Sequence, residues 1–170
     1  MSNILFICSG NYCRSPMAEA LLRRRLSLSG VVGVSVESAG TTQVHSGKGA
    51  SKNLIEVLGQ WNLHGFQHIS HRVTSDELNR AGVVFYMERN HLYQLHDIYK
   101  EMGIQNEPPT LLLSTVIGGG FDIPDPYPAL KSGDPEPSDV RSYILVGHML
   151  DYIFKAGLPE ILRHARGEYD

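Results

Sequence analysis

Cysteine is scarce in this sequence of 170 residues, since only Cys8 and Cys13 are present. Two thiols are too few for the disulfide framework of a small secreted domain, and too few for a zinc site built from four thiolates. The spacings of His68 with His71 and of His91 with the histidine at position 96 would suit a metal pair, but solvated histidines are far commoner. We therefore expect a protein of the reducing cytoplasm, without a metal ion or another cofactor.

Long apolar stretches and an excess of positive charge are also missing. No stretch is long enough to cross a bilayer. The amino terminus lacks the basic start and cleavage site of a secretory signal. The formal net charge is −3, and a chain without a broad cationic surface is a poor match for nucleic acid or an anionic membrane. We therefore expect neither partner, and an anionic ligand would have to be bound locally.

The sequence does contain an alternation of short apolar runs with amphipathic segments. Strands alternating with helices form βαβ units with right-handed crossovers, and such units build a parallel sheet covered on both faces. We therefore predict an α/β fold with three layers, α/β/α, in which a doubly wound four-stranded parallel sheet forms a single domain over residues 1–170. The predicted strands are residues 3–8, 34–37, 83–87 and 110–116, and the main predicted helices are residues 16–27, 54–61, 92–102 and about 138–166.

Residues 8–16, with the sequence CSGNYCRSP, lie between the first predicted strand and the first predicted helix. A loop of this length can turn its backbone N–H groups inward around an anion, and the following helix adds the positive end of its dipole. In parallel sheets of this kind, ligands bind at the carboxyl ends of the strands, which is where Cys8 lies. The segment therefore predicts a loop that binds an oxyanion.

Individual residues of this loop suit phosphoryl transfer. Arg14 offers a planar, two-pronged donor to phosphate oxygens, and the same donors would stabilise Cys8 as a nucleophilic thiolate. Gly10 and Asn11 are the residue types that best tolerate a positive φ, and Ser15 could donate to the sulfur when it leaves phosphorus. The predicted phosphate-binding residues are Ser9, Gly10, Asn11, Tyr12, Cys13, Arg14 and Ser15.

A thiolate nucleophile still needs an acid to protonate the departing oxygen. Asp125 is the candidate, because it lies on the long irregular segment 117–137, where a proline on each side limits the movement of its carboxyl group. Asp122 lies three residues earlier and is its rival. The same carboxyl group, once ionised, would act as the base towards water.

Together these segments resemble the low-molecular-weight protein tyrosine phosphatase family over nearly the whole chain. The resemblance rests on residues 8–16, on the SAGT sequence at 38–41 and on the DPY sequence at 125–127. It implies that Cys8 is the nucleophile of a phosphocysteine mechanism, that Arg14 clamps the phosphate, and that the carboxyl group at position 125 is the acid and base. It also implies a tyrosine-phosphorylated protein, such as a tyrosine kinase, as the partner, with phosphate and vanadate as inhibitory anions.

The resemblance assigns further roles around this loop. It makes Ser38 a structural support for the loop, and it makes Cys13 a redox partner that forms a reversible disulfide with the oxidised nucleophile. Tyr127 would offer an aromatic wall to the substrate ring. Tyr12 and His45 are the other predicted substrate-binding residues.

Three departures from the family pattern concern the substrate, and one of them is Pro128, which follows Tyr127 where a second aromatic residue or a glycine is common. Tyr12 stands where relatives usually carry small or aliphatic residues, and segment 44–49 lacks the aromatic and Pro-Asp pattern of the substrate-facing loop. Three alternatives to a tyrosine phosphatase of this family therefore deserve weighing. A protein arginine phosphatase typically carries threonine at position 12, an arsenate reductase needs cysteines beyond Cys13, and a phosphoprotein-binding module has no use for the retained catalytic residues. Hydrolysis of phosphotyrosine and small aryl phosphates remains the prediction.

Overall fold

The computed structural model describes residues 2–127 and 140–168. Its parallel sheet has the strand order β2-β1-β3-β4, and the strands are β1 (Ser2–Cys8), β2 (Val34–Gly40), β3 (Val83–Tyr86) and β4 (Thr110–Leu112). The α-helices are α1 (Arg14–Leu28), α2 (Lys52–Leu58), α3 (Ser75–Arg80), α4 (Arg89–Glu101) and α5 (Arg141–Arg166). Two 3₁₀ helices cover Gly59–Trp61 and Leu113–Ile117.

Strand β1 lies inside the sheet and is buried on both faces, as its continuous apolar run predicts. Ile4 and Phe6 face a core formed with α1, α2 and α5. Leu5 and Ile7 face a second core formed with α3 and α4. The predicted three-layer α/β/α arrangement with four parallel strands is therefore confirmed.

The strand order places the loop after β1 at a topological switch point. From β1 the chain continues to β2 on one side, whereas β3 pairs with the other side of β1. Connections that leave a strand in opposite directions open a crevice at its carboxyl end, and ligands bind there. Cys8 is the last residue of β1 and therefore lies at this crevice.

The predicted fourth strand, residues 110–116, is too long. Pairing with β3 ends at Leu112, and the chain then turns into the 3₁₀ helix Leu113–Ile117. The Ser114 hydroxyl fixes this turn, because it donates to the Phe121 carbonyl at 2.7 Å and accepts from the Phe121 N–H at 3.1 Å. A short apolar run fits a buried 3₁₀ turn as well as a strand, so hydrophobicity alone does not separate them.

Helix boundaries differ slightly from prediction. Helix α1 begins at Arg14 rather than at Pro16, so it brings the arginine into its first turn. The predicted start of the last helix near Ser138 lies outside the described residues, and α5 begins at Arg141. Within residues 2–127 and 140–168, no helix combines the length and apolarity that a membrane span requires.

Candidate active site

The loop between β1 and α1 begins at a buried sulfur and ends at a helix amino terminus. Cys8 is only 3% exposed, and no side chain caps α1 at Cys13 in the described structure. Pro16 has no N–H and the Met17 N–H donates to the Cys13 carbonyl at 3.1 Å, so the N–H groups of Arg14 and Ser15 are the first-turn donors that an anion can use. The helix dipole also favours an anion there. The loop has the local features of an oxyanion site.

Asn11 holds the loop in shape. It is fully buried with a φ of 52°, and its amide donates to Ser15 Oγ at 2.9 Å and to Ser38 Oγ at 3.0 Å. Its side-chain oxygen accepts from the His71 backbone N–H at 3.1 Å, and its carbonyl oxygen lies 2.8 Å from His68 Nε2. These contacts stabilise a left-handed conformation that few non-glycine residues adopt. Ser38 lies where the family resemblance requires it.

A second layer of polar side chains supports this network. Ser38 donates to a carboxylate oxygen of Glu19 at 2.6 Å, and Arg23 lies 2.8 Å from the other oxygen. Burial raises the pKa of Glu19. Burial also lowers the pKa of His68, and an N–H at its Nε2 atom donates a hydrogen bond to the Asn11 carbonyl oxygen. The sequence analysis did not assign Glu19 or His68 to the site, because neither is adjacent to the loop in the chain.

Gly40 lets the end of β2 lie directly against the loop. A Cβ atom there would be 2.6 Å from the Ser9 carbonyl oxygen and 3.1 Å from the Asn11 nitrogen. The Thr41 N–H donates to the Cys8 carbonyl at 2.9 Å, so the two backbones are also hydrogen-bonded. Any side chain at position 40 would displace the loop.

Arg14 is buried at the edge of the loop and is 2% exposed. Its Nη1 donates to Glu88 Oε2 at 2.9 Å and to the Ile123 carbonyl at 3.1 Å, and its Nη2 donates to Asp125 Oδ2 at 3.1 Å. These bonds use three of the five guanidinium N–H groups, so Nε–H and one Nη2–H remain without a partner among the described residues. That pair forms a side-on fork for two oxygens of an oxyanion.

Electrostatics keep Arg14 charged in this buried position. Burial lowers its pKa, but the nearby charges of Cys8, Asp125 and Glu88 raise it by more, so the pKa lies above its ordinary value. The sulfur of Cys8 is 3.0 Å from Ser15 Oγ, which already accepts a hydrogen bond from Asn11. The hydroxyl proton of Ser15 has two acceptors in reach, the sulfur and the Ala39 carbonyl oxygen at 3.3 Å. When it is directed at the sulfur, it stabilises the anionic form of Cys8.

The structure separates the two candidate acids. Asp125 contacts Arg14, and its other carboxylate oxygen accepts from the Tyr127 N–H at 3.0 Å. Asp122 instead accepts from the backbone and the side chain of Arg89, at 3.1 and 3.3 Å. Of these two aspartates, Asp125 lines the cavity that contains Cys8 and Arg14, and Asp122 does not.

Three rings form the rim of this cavity. Tyr12 and His45 stack with ring centroids 4.1 Å apart, and Tyr127 meets both edge-on at 6.2 and 6.1 Å. A Cβ atom at Gly10 would be 2.5 Å from the His45 ring, so the imidazole rests directly on the loop backbone. Burial lowers the pKa of His45, which favours its neutral form. The three predicted substrate-binding residues therefore lie together.

Cys13 lies in the same loop but in a different environment. Its sulfur is 3.5 Å from the Tyr143 hydroxyl and 3.9 Å from Ser51 Oγ. Burial raises the pKa of the Cys13 thiol to about 12. Both cysteines are free thiols, so a disulfide between them stays a prediction.

Two residues after β3 join the site without having been predicted. Glu88 holds Arg14, and His91 lies 3.0 Å from Ser9 Oγ through its Nε2 atom. The usable signal is position, because both follow a strand that pairs with β1 and so lie near its carboxyl end. His91 is fully buried, whereas the side chain of His96 is 49% exposed.

Within the described ranges, no cluster of three or more potential ligands could hold a metal ion.

Comparison with known proteins identifies the family of this chain. The family model for low molecular weight phosphotyrosine protein phosphatases matches residues 3–142. The low molecular weight protein-tyrosine-phosphatase of Streptomyces coelicolor is 33% identical over 141 residues, covering 78% of this chain and 82% of the relative. The protein-arginine-phosphatase of Bacillus subtilis is 32% identical over 125 residues, covering 74% and 79%. Wzb from Vibrio vulnificus, solved in complex with benzylphosphonate, superimposes with a TM-score of 0.74 and 27% identity, covering 94% and 98%. The chain therefore belongs to the low molecular weight phosphotyrosine protein phosphatase family.

Proposed function

We propose that this protein hydrolyses phosphotyrosine in proteins, and small aryl phosphates, through a phosphocysteine intermediate on Cys8. One observation carries the proposal. The buried sulfur of Cys8, a serine hydroxyl and the guanidinium of Arg14 lie together in the segment 8–15, and the carboxyl group of Asp125 is hydrogen-bonded to that guanidinium. This arrangement supplies a nucleophile, an oxyanion clamp and an acid within a single cavity.

In the first step the Cys8 thiolate attacks phosphorus while the bond from phosphorus to the aryl oxygen breaks. Asp125 in its acid form gives its proton to that oxygen, so a neutral phenol departs. The free N–H fork of Arg14 and the backbone N–H groups of the loop stabilise the equatorial oxygens of the phosphoryl group, over which the negative charge is delocalised in the transition state.

In the second step water attacks phosphorus and the bond from phosphorus to sulfur breaks. Asp125, now ionised, accepts a proton from the water, and inorganic phosphate is released. The thiolate leaves with the electron pair of the broken bond, and the Ser15 hydroxyl at 3.0 Å stabilises its charge. The protons and electron pairs of both steps are accounted for by Cys8, Asp125, the substrate and water.

The rim supports an aryl substrate. Aromatic side chains bind planar rings through offset or edge-on contacts, and Tyr12, His45 and Tyr127 are grouped at the mouth of the cavity. The proposed partner is therefore a tyrosine-phosphorylated protein, such as a tyrosine kinase, and phosphate and vanadate should inhibit competitively. Action in the cytoplasm is part of the proposal and rests on the two unpaired thiols.

Arginine phosphatase activity is the second candidate, because a similar relative carries that name. Tyr12 favours phosphotyrosine, since its ring and the stacked His45 occupy the rim beside the catalytic loop. Tyr12→Thr would remove this stack. We expect it to lower the preference for phosphotyrosine over phosphoarginine by up to about tenfold, because one aromatic contact is worth roughly 0.5–1.5 kcal/mol.

The deciding experiment measures kcat/KM for matched peptides that carry phosphotyrosine, phosphoarginine or phosphoserine. We expect phosphotyrosine to be the preferred substrate, and Asp125→Asn to lower its turnover about 10²- to 10⁴-fold, with the greatest loss for weakly acidic leaving groups. Asp122→Asn is the matched control and should retain turnover. Preference for phosphoarginine would refute tyrosine specificity, and absence of hydrolysis of all three peptides would refute the proposed function.

A further inference from the structure

His91 is a buried histidine that contacts the phosphate-binding loop at Ser9. It lies in the first turn of α4, directly after β3, and is 0% exposed. Both ring nitrogens have partners: Nδ1 lies 3.3 Å from the Glu88 backbone nitrogen, and Nε2 lies 3.0 Å from Ser9 Oγ. Such a fully bonded ring has one fixed orientation.

The partners also fix its tautomer. A backbone N–H only donates, so Nδ1 must be the unprotonated acceptor and the proton must reside on Nε2. His91 therefore donates to the Ser9 hydroxyl. Burial, followed by the positive charge of Arg14, lowers its pKa to about 3, although Asp122 opposes this shift. The ring is neutral at any pH at which the protein is expected to work.

These two bonds join opposite sides of the anion site. Ser9 directly follows the nucleophile, and Glu88 holds the guanidinium of Arg14 at 2.9 Å. The Glu88 carboxylate is also 3.5 Å from His91 Nε2. The ring therefore contacts both the backbone and the carboxylate of Glu88, the residue that orients Arg14. Its position therefore affects the distance between the sulfur and the guanidinium fork.

We propose that His91 is a positioning residue, which holds Ser9 through its Nε2 atom so that Cys8 and Arg14 face the same phosphoryl group. It touches neither substrate nor the reacting atoms, and it exchanges no proton during the reaction. The inference rests on the proposed phosphatase function, because its main readout is turnover. A purely structural role would lower stability without changing the catalytic parameters of the folded enzyme.

Two substitutions separate the two bonds. His91→Asn keeps an acceptor near the Glu88 N–H but is too short to reach Ser9, whereas the longer His91→Gln can offer its amide N–H to Ser9. We expect His91→Asn to lower kcat about tenfold, the value of one hydrogen bond, with a smaller change in KM. His91→Gln should stay within about threefold of the native kcat. Because the ring is neutral, neither change should shift the acidic limb of the pH profile.

A double-mutant cycle identifies the route. If His91 acts through Ser9, then Ser9→Ala should reproduce the loss in kcat, and adding His91→Asn to it should cost less than about twofold more. His96→Asn on the same helix is the matched control and should behave like the native protein. The cycle also covers the case in which His91→Asn fails to fold, because Ser9→Ala removes the same bond from the other side.

The outcomes separate this inference from the function. Native turnover in His91→Asn, full additivity with Ser9→Ala, or a displaced acidic limb would overturn the positioning role while leaving the phosphatase intact. If the native protein hydrolysed none of the phosphopeptides, the proposed function would fail. Calorimetric binding of inorganic phosphate would then decide the role of His91, with about fivefold or greater weakening in His91→Asn as the expected result and unchanged binding as the refutation.

Discussion

The base and the rim of the cavity are built by different means. At the base, Asn11, Arg14 and Ser15 are at most 2% exposed and are held by hydrogen bonds from several elements. At the rim, Tyr12, His45 and Tyr127 are half-buried and contact one another through their rings. Buried, saturated polar networks have one low-energy arrangement, whereas ring contacts at a surface permit several. We therefore propose that the base carries out the chemistry and that the rim selects the substrate.

The sharpest test of this division is Cys8→Ser. The substitution keeps the loop and its donors but replaces the thiolate with a poorly acidic hydroxyl, so we expect turnover to fall at least about 10⁴-fold. Affinity for inorganic phosphate should stay within about fivefold, because the fork of Arg14 remains in place. Steady-state kinetics and calorimetry measure the two quantities. Turnover above about 1% of the native rate would exclude Cys8 as the nucleophile.

The backbone of the base is tested by Gly40→Ala. The new methyl group would lie 2.6 Å from the Ser9 carbonyl oxygen, so the loop has to move away from β2. We expect kcat to fall about 10²-fold, because a displacement near 1 Å has that effect on aligned reacting groups. Gly49→Ala is the matched control, since its nearest neighbour would be 3.7 Å away. Equal kinetics for the two variants would show that the close approach at Gly40 has no role in catalysis.

Sequence reasoning reached the base more completely than the rim. The loop from Cys8 to Ser15 is contiguous, and its position between an apolar strand and a helix follows from local patterns. Glu88 could not be found in this way, because its partner Arg14 is 74 positions away and a glutamate after a strand is unremarkable in isolation. The sequence analysis considers His91 only as one of two possible metal ligands, because the spacing of histidines does not show which of them is buried.

The rim residues were predicted as a set, but their arrangement was not. Tyr12 belongs to the loop, whereas His45 and Tyr127 come from separate irregular segments whose paths depend on tertiary contacts. The length of the fourth strand was missed for a related reason. Its end is set by the bonds of Ser114 to a residue seven positions later rather than by apolar periodicity.

The rim is tested by His45→Ala and Tyr127→Ala. Each removes one ring and leaves the bonds of the base intact, so we expect KM for a phosphotyrosine peptide to rise about five- to tenfold. The inhibition constant of inorganic phosphate should remain within about twofold, because phosphate has no ring to bind. Tyr152→Ala serves as the matched control, since that ring on α5 is 64% exposed and does not line the cavity. A fall in kcat comparable to that of Gly40→Ala would break the proposed division.

The smallest effect on turnover is expected at Cys13, where one loop holds two sulfurs in opposite environments. Cys13→Ala should change kcat less than about threefold, under 1 kcal/mol, because its sulfur faces Tyr143 and Ser51 rather than Arg14. A thiol with a pKa of about 12 is almost fully protonated from pH 6 to 9, and only the thiolate reacts with alkylating reagents.

Iodoacetamide should therefore label Cys13→Ala at Cys8 and inactivate it, while Cys8→Ser takes up label at least about 10³-fold more slowly than a free thiol. Mass spectrometry of the two variants measures this difference. Because the Cys13 thiol stays protonated, it is a poor nucleophile towards an oxidised Cys8. The predicted disulfide between Cys8 and Cys13 should therefore form slowly after peroxide treatment. Fast labelling of Cys13 near neutral pH would mean that this side of the loop opens to solvent, which would contradict a rigid base.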